Sequence, residues 1–236
     1  MPVGKNSDKV KQTNEIKVAA PLLDAIDIEN KDITADALHT QWDFAKYIVE
    51  ERKAHYHLIV KKNQPNLLND ISYYFRDIDK EEPEAVDISS GEHGRIEIRK
   101  IWTTCELNGY LGFPHVGQAF AIEREFTDKK TGKISNHEMA YGITSRKKDE
   151  ADAERILKVN RGHWVIESSC HYILDWNYDE DRSRIRTGYG PENMTRLRKF
   201  AIGIIKSKKS HSQNTTARGG GLMLLVLKGT PCYILI

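Results

Sequence analysis

The chain has 236 residues, 39% of them hydrophobic, which is enough to bury a core and excludes a disordered polypeptide. Lys and Arg total 36 against 34 Asp and Glu, so overall charge does not identify a nucleic-acid binder. The three cysteines lie far apart without a CxxC spacing, which argues against a disulfide framework or a zinc knuckle.

The sequence predicts no association with a membrane. Residues 1–20 mix Lys, Asp, Asn and Glu without an apolar run, so we expect no signal peptide. No segment reaches the roughly 18 consecutive apolar residues that a membrane span requires, so we expect no anchor. These features favour the reducing cytoplasm.

The amino-terminal part follows a pattern of alternating helices and strands. Residues 1–14 are polar and are expected to be loose, whereas residues 15–92 have the periodicity of an α/β fold with parallel strands. The predicted elements are a helix over 15–28, a strand over 31–37, a helix over 40–51 and a strand over 55–61.

The middle of the chain changes to strand-like alternation. Residues 93–148 are predicted to form a β-rich insertion that interrupts the α/β part. Its first strand is HGRIEIRKIW, from residue 93, in which isoleucine alternates with charged residues. Two further strands are predicted over Gln118–Phe126 and Asn136–Ser145, joined by a hairpin tip at residues 129–133.

Residues 149–209 return to helical spacing, with helices predicted over 150–159, 162–176 and 191–206. Pro191 suits the first turn of the last of these helices. Residues 210–236 have neither an amphipathic period nor a clear cap, so they are predicted to be an aberrant or disordered tail.

Asp36 is the first candidate functional residue. It stands just past a hydrophobic strand, where α/β folds place ligand-binding groups at the carboxyl edge of a parallel sheet. The alternative is that Asp36 simply caps the turn into the helix that begins near Thr40.

A second candidate is a stripe of polar residues at helical spacing. His163, Glu167, His171 and Asp175 recur at every fourth position and therefore share one helix face. A half-buried Glu167 needs a partner, and either a cation or neighbouring Arg side chains would supply one. The His-x3-Glu-x3-His spacing could also hold zinc, but no Cys lies at a suitable position beside it.

Positive charge is concentrated in residues 182–209, where Glu192 is the only acidic residue. Such a segment can neutralise DNA phosphates and release counterions, although a solvated helix face is the commoner reason for a run of charge. The predicted DNA-binding residues are Arg182, Arg184, Arg186, Arg196, Arg198 and Lys199.

Seven short motifs resemble, in their order, the H-repeat-associated, ISAs-type branch of the insertion-sequence DDE transposases, over about residues 13–206. They are TNEI (13–16), TADALHTQ (34–41), KKNQP (61–65), HGRIE (93–97), RGHWVIE (161–167), EDRSR (180–184) and PEN (191–193).

The resemblance implies an RNase H-like catalytic core with a β-strand insertion before its last acidic helix. It also implies a site with two divalent ions, Mg²⁺ or Mn²⁺, in which Asp36 matches the family's second Asp and Glu167 its final Glu. Hard cations prefer carboxylate oxygens, and two of them can serve in-line displacement at a DNA phosphodiester. Arg161 and His171 are expected to replace the family's Arg and Lys that flank the final Glu.

One departure from the family concerns its first catalytic Asp, which lies in an Asp-Gly-Lys context that this sequence does not contain. The resemblance therefore implies a core that is incomplete at the amino end, an unpaired edge of the central sheet and impaired activity. The expected product is a truncated transposase that cleaves no DNA by itself.

Four functions remain open at this point. The first is a DDE transposase acting on double-stranded DNA in the bacterial cytoplasm, near the nucleoid, as a homo-oligomer or with full-length transposase. The second is a DNA-binding or interaction fragment that pairs with full-length transposase without catalysis. The others are a nuclease that cuts without joining and a degenerate product without function.

Overall fold

The computed structural model describes residues 19–21, 23–24, 26–78, 81–90, 95–166, 182–209 and 233–235. The chain forms two compact units, which divide between Asn160 and Arg161, and Tyr233 and Ile234 belong to the first unit. Among the described helices, none is long and apolar enough to cross a membrane.

Helices of five to twenty residues and strands of three to eleven residues make up the described part. The strands are β1 Asp32–Ala35, β2 His55–Val60, β3 Ala85–Ser90, β4 Arg95–Thr104, β5 Gln118–Asp128, β6 Ile134–Thr144 and β7 Tyr233–Leu235. The helices are α1 Trp42–Lys46, α2 Pro65–Tyr74, α3 Ala153–Ile166 and α4 Gly190–Lys209, together with a 3₁₀ turn at Ala37–His39 and a π-helical turn at Tyr47–Glu51.

The strands form one mixed sheet in the order β3-β4-β5-β6-β2-β1-β7. Strands β1 and β2 are parallel, from the pair Asp32 and His55 to the pair Ala35 and Leu58. The pairs β2–β6, β6–β5, β5–β4 and β4–β3 are antiparallel. The predicted α/β class is therefore confirmed, and the β-rich region extends the sheet that the two parallel strands begin.

The parallel strands lie in the core, where one face of the pair is apolar. Ile33, Tyr56 and Leu58 are fully buried. Tyr56 satisfies its hydroxyl by donating to the carbonyl oxygen of Pro114 at 2.7 Å, and burial raises the pKa of this phenol. A central strand pair of this kind provides a rigid support for the turns at its ends.

Helix α3 covers a second apolar cluster, in which its Ile156 and Leu157 lie with Ile101 and Phe120 of the sheet. The Phe120 ring stacks on His57 with centroids 4.7 Å apart. Gly142 makes this packing possible, because a Cβ at that position would overlap the Phe120 ring and lie 2.8 Å from the Leu58 carbonyl oxygen.

The hairpin tip predicted at residues 129–133 is present between β5 and β6. Asp128 Oδ1 accepts from the backbone N–H groups of Lys130 at 2.9 Å and Thr131 at 2.8 Å. Gly132 follows with φ of 67°, a conformation that favours glycine. Local turn chemistry thus sets this hairpin, as the sequence predicted.

Several elements differ from the prediction. Strand β3 and helix α2 were not predicted, although α2 has Pro65 in its first turn and buries Leu67 and Ile71 one helical turn apart. The helices predicted over 150–159 and 162–176 are one continuous helix at least to Ile166, because Gly162 does not interrupt it. The resemblance implied an unpaired edge of the central sheet, and in the described sheet the three-residue strand β7 lies beside β1 at one edge.

Candidate active site

Asp36 lies directly after β1, at the carboxyl edge of the two parallel strands. It is the N-cap of the 3₁₀ turn, and its Oδ1 accepts from the backbone N–H of Ala37 at 2.7 Å. The Asp36 side chain nevertheless remains 69% exposed. The capping interpretation is therefore right about the local bond, yet the carboxylate stays accessible to a ligand.

Lys61 occupies the equivalent position after β2. Its Nζ lies 3.8 Å from Asp36 Oδ1, and its side chain is 67% exposed. Because β1 and β2 run parallel, the two turns that follow them meet at the same edge of the sheet. The sequence motifs TADALHTQ and KKNQP thus lie side by side, although about twenty residues separate them in the chain.

Two amide side chains tie these turns together. Asn63 donates from Nδ2 to the carbonyl oxygen of Ala37 at 2.6 Å, and Gln64 donates from Nε2 to that of Thr40 at 2.9 Å. Thr40 in turn donates from Oγ1 to the Ile59 carbonyl oxygen at 2.8 Å. The turn that begins at Asp36 is therefore held against β2 and the turn after it by three side chains for which the sequence predicted no role.

Asp32, at the opposite end of β1, is a structural carboxylate. Its side chain is 5% exposed and accepts from Arg146 Nε at 2.7 Å and Arg155 Nη2 at 2.7 Å. Arg146 also donates from Nη2 to the Asn30 carbonyl oxygen at 2.8 Å. With both oxygens engaged, Asp32 anchors α3 and the turn after β6 instead of facing a ligand.

The other predicted metal ligand does not fall within the part of the chain that the structure describes. Glu167 and His171 lie outside the described residues, and so does Asp175 of the same predicted stripe. Arg161 and His163 lie in α3, one and three residues into the second unit. Within the described ranges, no group of three or more His, Cys, Asp or Glu residues could hold a metal ion.

The basic segment belongs to the second unit. Arg182, Arg184, Arg186 and Arg196 are exposed, while Arg198 and Lys199 are half-buried. Arg196 pairs with Glu192 one helical turn earlier, at 2.6 Å. Helix α4 begins at Gly190 with Pro191 in its first turn, as predicted. The exposed arginines present positive charge to solvent, and the predicted DNA contacts stay a prediction.

Charged side chains also form ion pairs within and between the antiparallel strands. Glu97 Oε1 accepts from Arg99 Nη2 at 2.8 Å and from Arg124 Nε at 2.6 Å. Burial raises the pKa of Glu97, but hydrogen bonds from the two guanidinium groups outweigh it and the net pKa is lowered. Ion pairs of this kind account for the charged residues inside the sheet.

The fold and the exposed aspartate at its parallel edge define a mixed α/β protein with a candidate acidic site. A family model described as "Transposase DDE domain" matches residues 8–203, and the chain belongs to this family. Membership confirms the family that the sequence motifs indicated.

Three curated relatives from Escherichia coli are 29% identical to this chain and align with 84% of it. "Putative transposase YncI" of strain O157:H7 aligns over 207 residues, 51% of its length. "Putative protein YbfL" and "H repeat-associated putative transposase YhhI" of strain K12 align over 209 and 208 residues, each 53% of its length. The chain spans about half the length of the curated relatives it matches.

Proposed function

We propose that this chain is a DNA transposase of the DDE type, the class that catalyses metal-dependent strand cleavage and transfer of an insertion sequence, and that its activity is impaired because the sequence lacks the family's Asp-Gly-Lys motif. The observation that carries the proposal is Asp36, an exposed carboxylate at the carboxyl end of a buried parallel strand in a chain of the DDE family. The names of the relatives support the same class of activity. An RNase H-like core is part of the proposal and agrees with the mixed sheet.

The chemistry of the site suits a hard divalent cation. Carboxylate oxygens are the preferred ligands of Mg²⁺ and Mn²⁺. Among the described residues, the Asp36 carboxylate contacts only the backbone N–H of Ala37 and the Lys61 ammonium, which lies 3.8 Å away. Asp36 and Glu167 would hold the ions of a two-metal site. When bound, the ions would supply charge stabilisation for in-line displacement at a phosphodiester.

The chain's own residues would position the DNA. Arg161 and His171 would orient the scissile phosphate or the acidic helix. The exposed arginines of the second unit would hold backbone phosphates without reading bases. On this proposal the protein would act on DNA in the bacterial cytoplasm, near the nucleoid, as a homo-oligomer or with full-length transposase.

A Mn²⁺ titration followed by electron paramagnetic resonance, in the presence of insertion-end DNA, tests the metal site. We expect Asp36→Asn and Glu167→Gln each to weaken Mn²⁺ binding by about tenfold or more, since each removes a carboxylate ligand. Asp43→Asn, an exposed carboxylate in α1, is the matched control and should bind as the wild type does. Equal affinities in all four proteins would contradict the proposal.

The exposed arginines also favour a second candidate, a DNA-binding or interaction fragment that pairs with full-length transposase without catalysis. This function predicts salt-sensitive DNA binding that survives Asp36→Ala and Glu167→Ala together. The transposase proposal predicts instead that the double variant loses the dependence of DNA binding on Mg²⁺. Measuring binding with Mg²⁺ and with EDTA separates the two functions.

A further inference from the structure

The ion pair between Lys61 and Asp36 contributes little to the stability of the fold. Both side chains are about two-thirds exposed, and their 3.8 Å separation is at the limit of an ion pair. Exposed pairs of this kind contribute at most about 1 kcal/mol to stability. A cation and a carboxylate that remain hydrated at one edge of the sheet are available for a ligand.

The position of Lys61 is nevertheless fixed. It is the first residue after β2, which is buried between β1 and β6. The residues after it, Asn63 and Gln64, bond to the carbonyl oxygens of Ala37 and Thr40 in the turn that Asp36 begins. These hydrogen bonds join the two turns that carry the lysine and the aspartate, and both side chains extend from them into solvent.

We propose that Lys61 is a substrate-binding residue that contacts a nonbridging oxygen of the DNA phosphate beside Asp36, with Asn63 and Gln64 as positioning residues. The inference rests on the proposed function. A carboxylate alone repels a phosphate, so a site that uses Asp36 for a metal gains from a cation on the same edge. The ammonium has three donors and makes no geometric demand on its acceptor, which suits a phosphate approached from solvent.

Fluorescence anisotropy of a labelled DNA duplex carrying the insertion-sequence end tests this contact with the full chain in Mg²⁺. Lys61→Met should weaken binding by about tenfold and lower the slope of log affinity against log salt by about one. Lys62→Met, at the next exposed residue, is the matched control and should stay within about twofold of wild type. Equal effects of the two substitutions would overturn the proposal.

A double variant separates a phosphate contact from simple neutralisation of Asp36. In an Asp36→Asn background there is no charge to neutralise, yet a phosphate contact by Lys61 would persist. We expect Lys61→Met to lower the salt slope by about one in this background also. Loss of its effect there would show that Lys61 acts only as a counterion, and would overturn the proposal.

A matched pair of substitutions tests the positioning role of Asn63. Asn63→Asp removes the donor to Ala37 and should weaken DNA binding, whereas Asn66→Asp adds the same charge in an exposed position of α2. A larger loss for Asn63→Asp, restored by Asn63→Gln, supports positioning, and equal losses contradict it. If the wild type binds no DNA, the proposed function fails; if it binds DNA and Lys61 is neutral, only this inference fails.

Discussion

Arg155 in α3 donates from Nη2 to Asp32 Oδ2 at 2.7 Å, and Asp32 is the first residue of β1. With Arg146 on the other oxygen, the carboxylate joins the sheet, the turn after β6 and the helix that leads toward the predicted acidic segment. The Asp32 side chain is only 5% exposed, so its removal should destabilise the fold.

Replacement of Asp32 by Ala should lower the free energy of unfolding by about 3–5 kcal/mol, because it leaves the largely buried Arg146 guanidinium without its partner. Urea denaturation followed by circular dichroism measures the change. Asp43→Ala removes an exposed carboxylate from the first turn of α1 and should cost at most about 1 kcal/mol. Comparable losses in the two variants would show that the Asp32 pairs are not structural.

Gly142→Ala should also destabilise the fold, by about 1–3 kcal/mol, because the added methyl group would meet the Phe120 ring and the Leu58 carbonyl. Thermal or urea unfolding gives the loss. Gly112→Ala is the control, since a Cβ there meets nothing within 4 Å. Adding Phe120→Leu to Gly142→Ala should recover part of the loss, and purely additive effects would contradict the predicted overlap.

The cross-strand site at Glu123 predicts a stability that depends on pH. Its carboxylate accepts from Lys100 Nζ at 2.6 Å and from His137 Nε2 at 2.6 Å. Burial raises the pKa of Glu123, but the two hydrogen bonds outweigh it, so the folded pKa lies below the ordinary value of 4.5. The stabilisation is therefore complete above the unfolded pKa and is lost as pH falls through the folded pKa.

Glu123→Gln should thus lower the free energy of unfolding by about 1–2 kcal/mol at neutral pH, a value reduced by the solvent exposure of Lys100 and His137. The difference from wild type should shrink as pH falls below about 4.5. Urea denaturation at a series of pH values measures it. Glu138→Gln, at an exposed position of β6, should show no such trend, and a difference for Glu123→Gln that is independent of pH would contradict the prediction.

On the proposed function, Arg184 and Arg186 lie in the DNA footprint. Replacing both by Ala should reduce the slope of log affinity against log salt by about two, because two phosphate contacts and their counterions are lost. Arg184→Lys with Arg186→Lys keeps both charges and should keep the slope. An unchanged slope in the alanine variant would remove the two residues from the footprint.

Strands β1 and β2, the hairpin between β5 and β6 and the start of α4 could be predicted because their signals are local. Apolar runs of strand length, an Asp and Gly around a tight turn and a Pro in the first helical turn each act within a few residues. Strand β3 was not predicted because its six residues include only two large apolar side chains, Val86 and Ile88, which is too short an alternation to stand out. Helix α3 continued past Gly162 because helix-forming residues surround one unfavourable residue.

The amino-acid order determined that Asp36 would follow a buried strand and that the motifs around it would be those of the DDE family. It could not determine that Asn63 and Gln64 reach back to the turn after Asp36, or that Asp32, four residues earlier, would be sealed by two arginines. Those contacts join residues from about twenty to more than a hundred positions apart, and only the pairing of β1 with β2 and the packing of α3 brings them together. Long-range packing thus decided which carboxylate is buried and which is exposed, because the residues next to Asp32 in the sequence give no sign of the two arginines that pack on it.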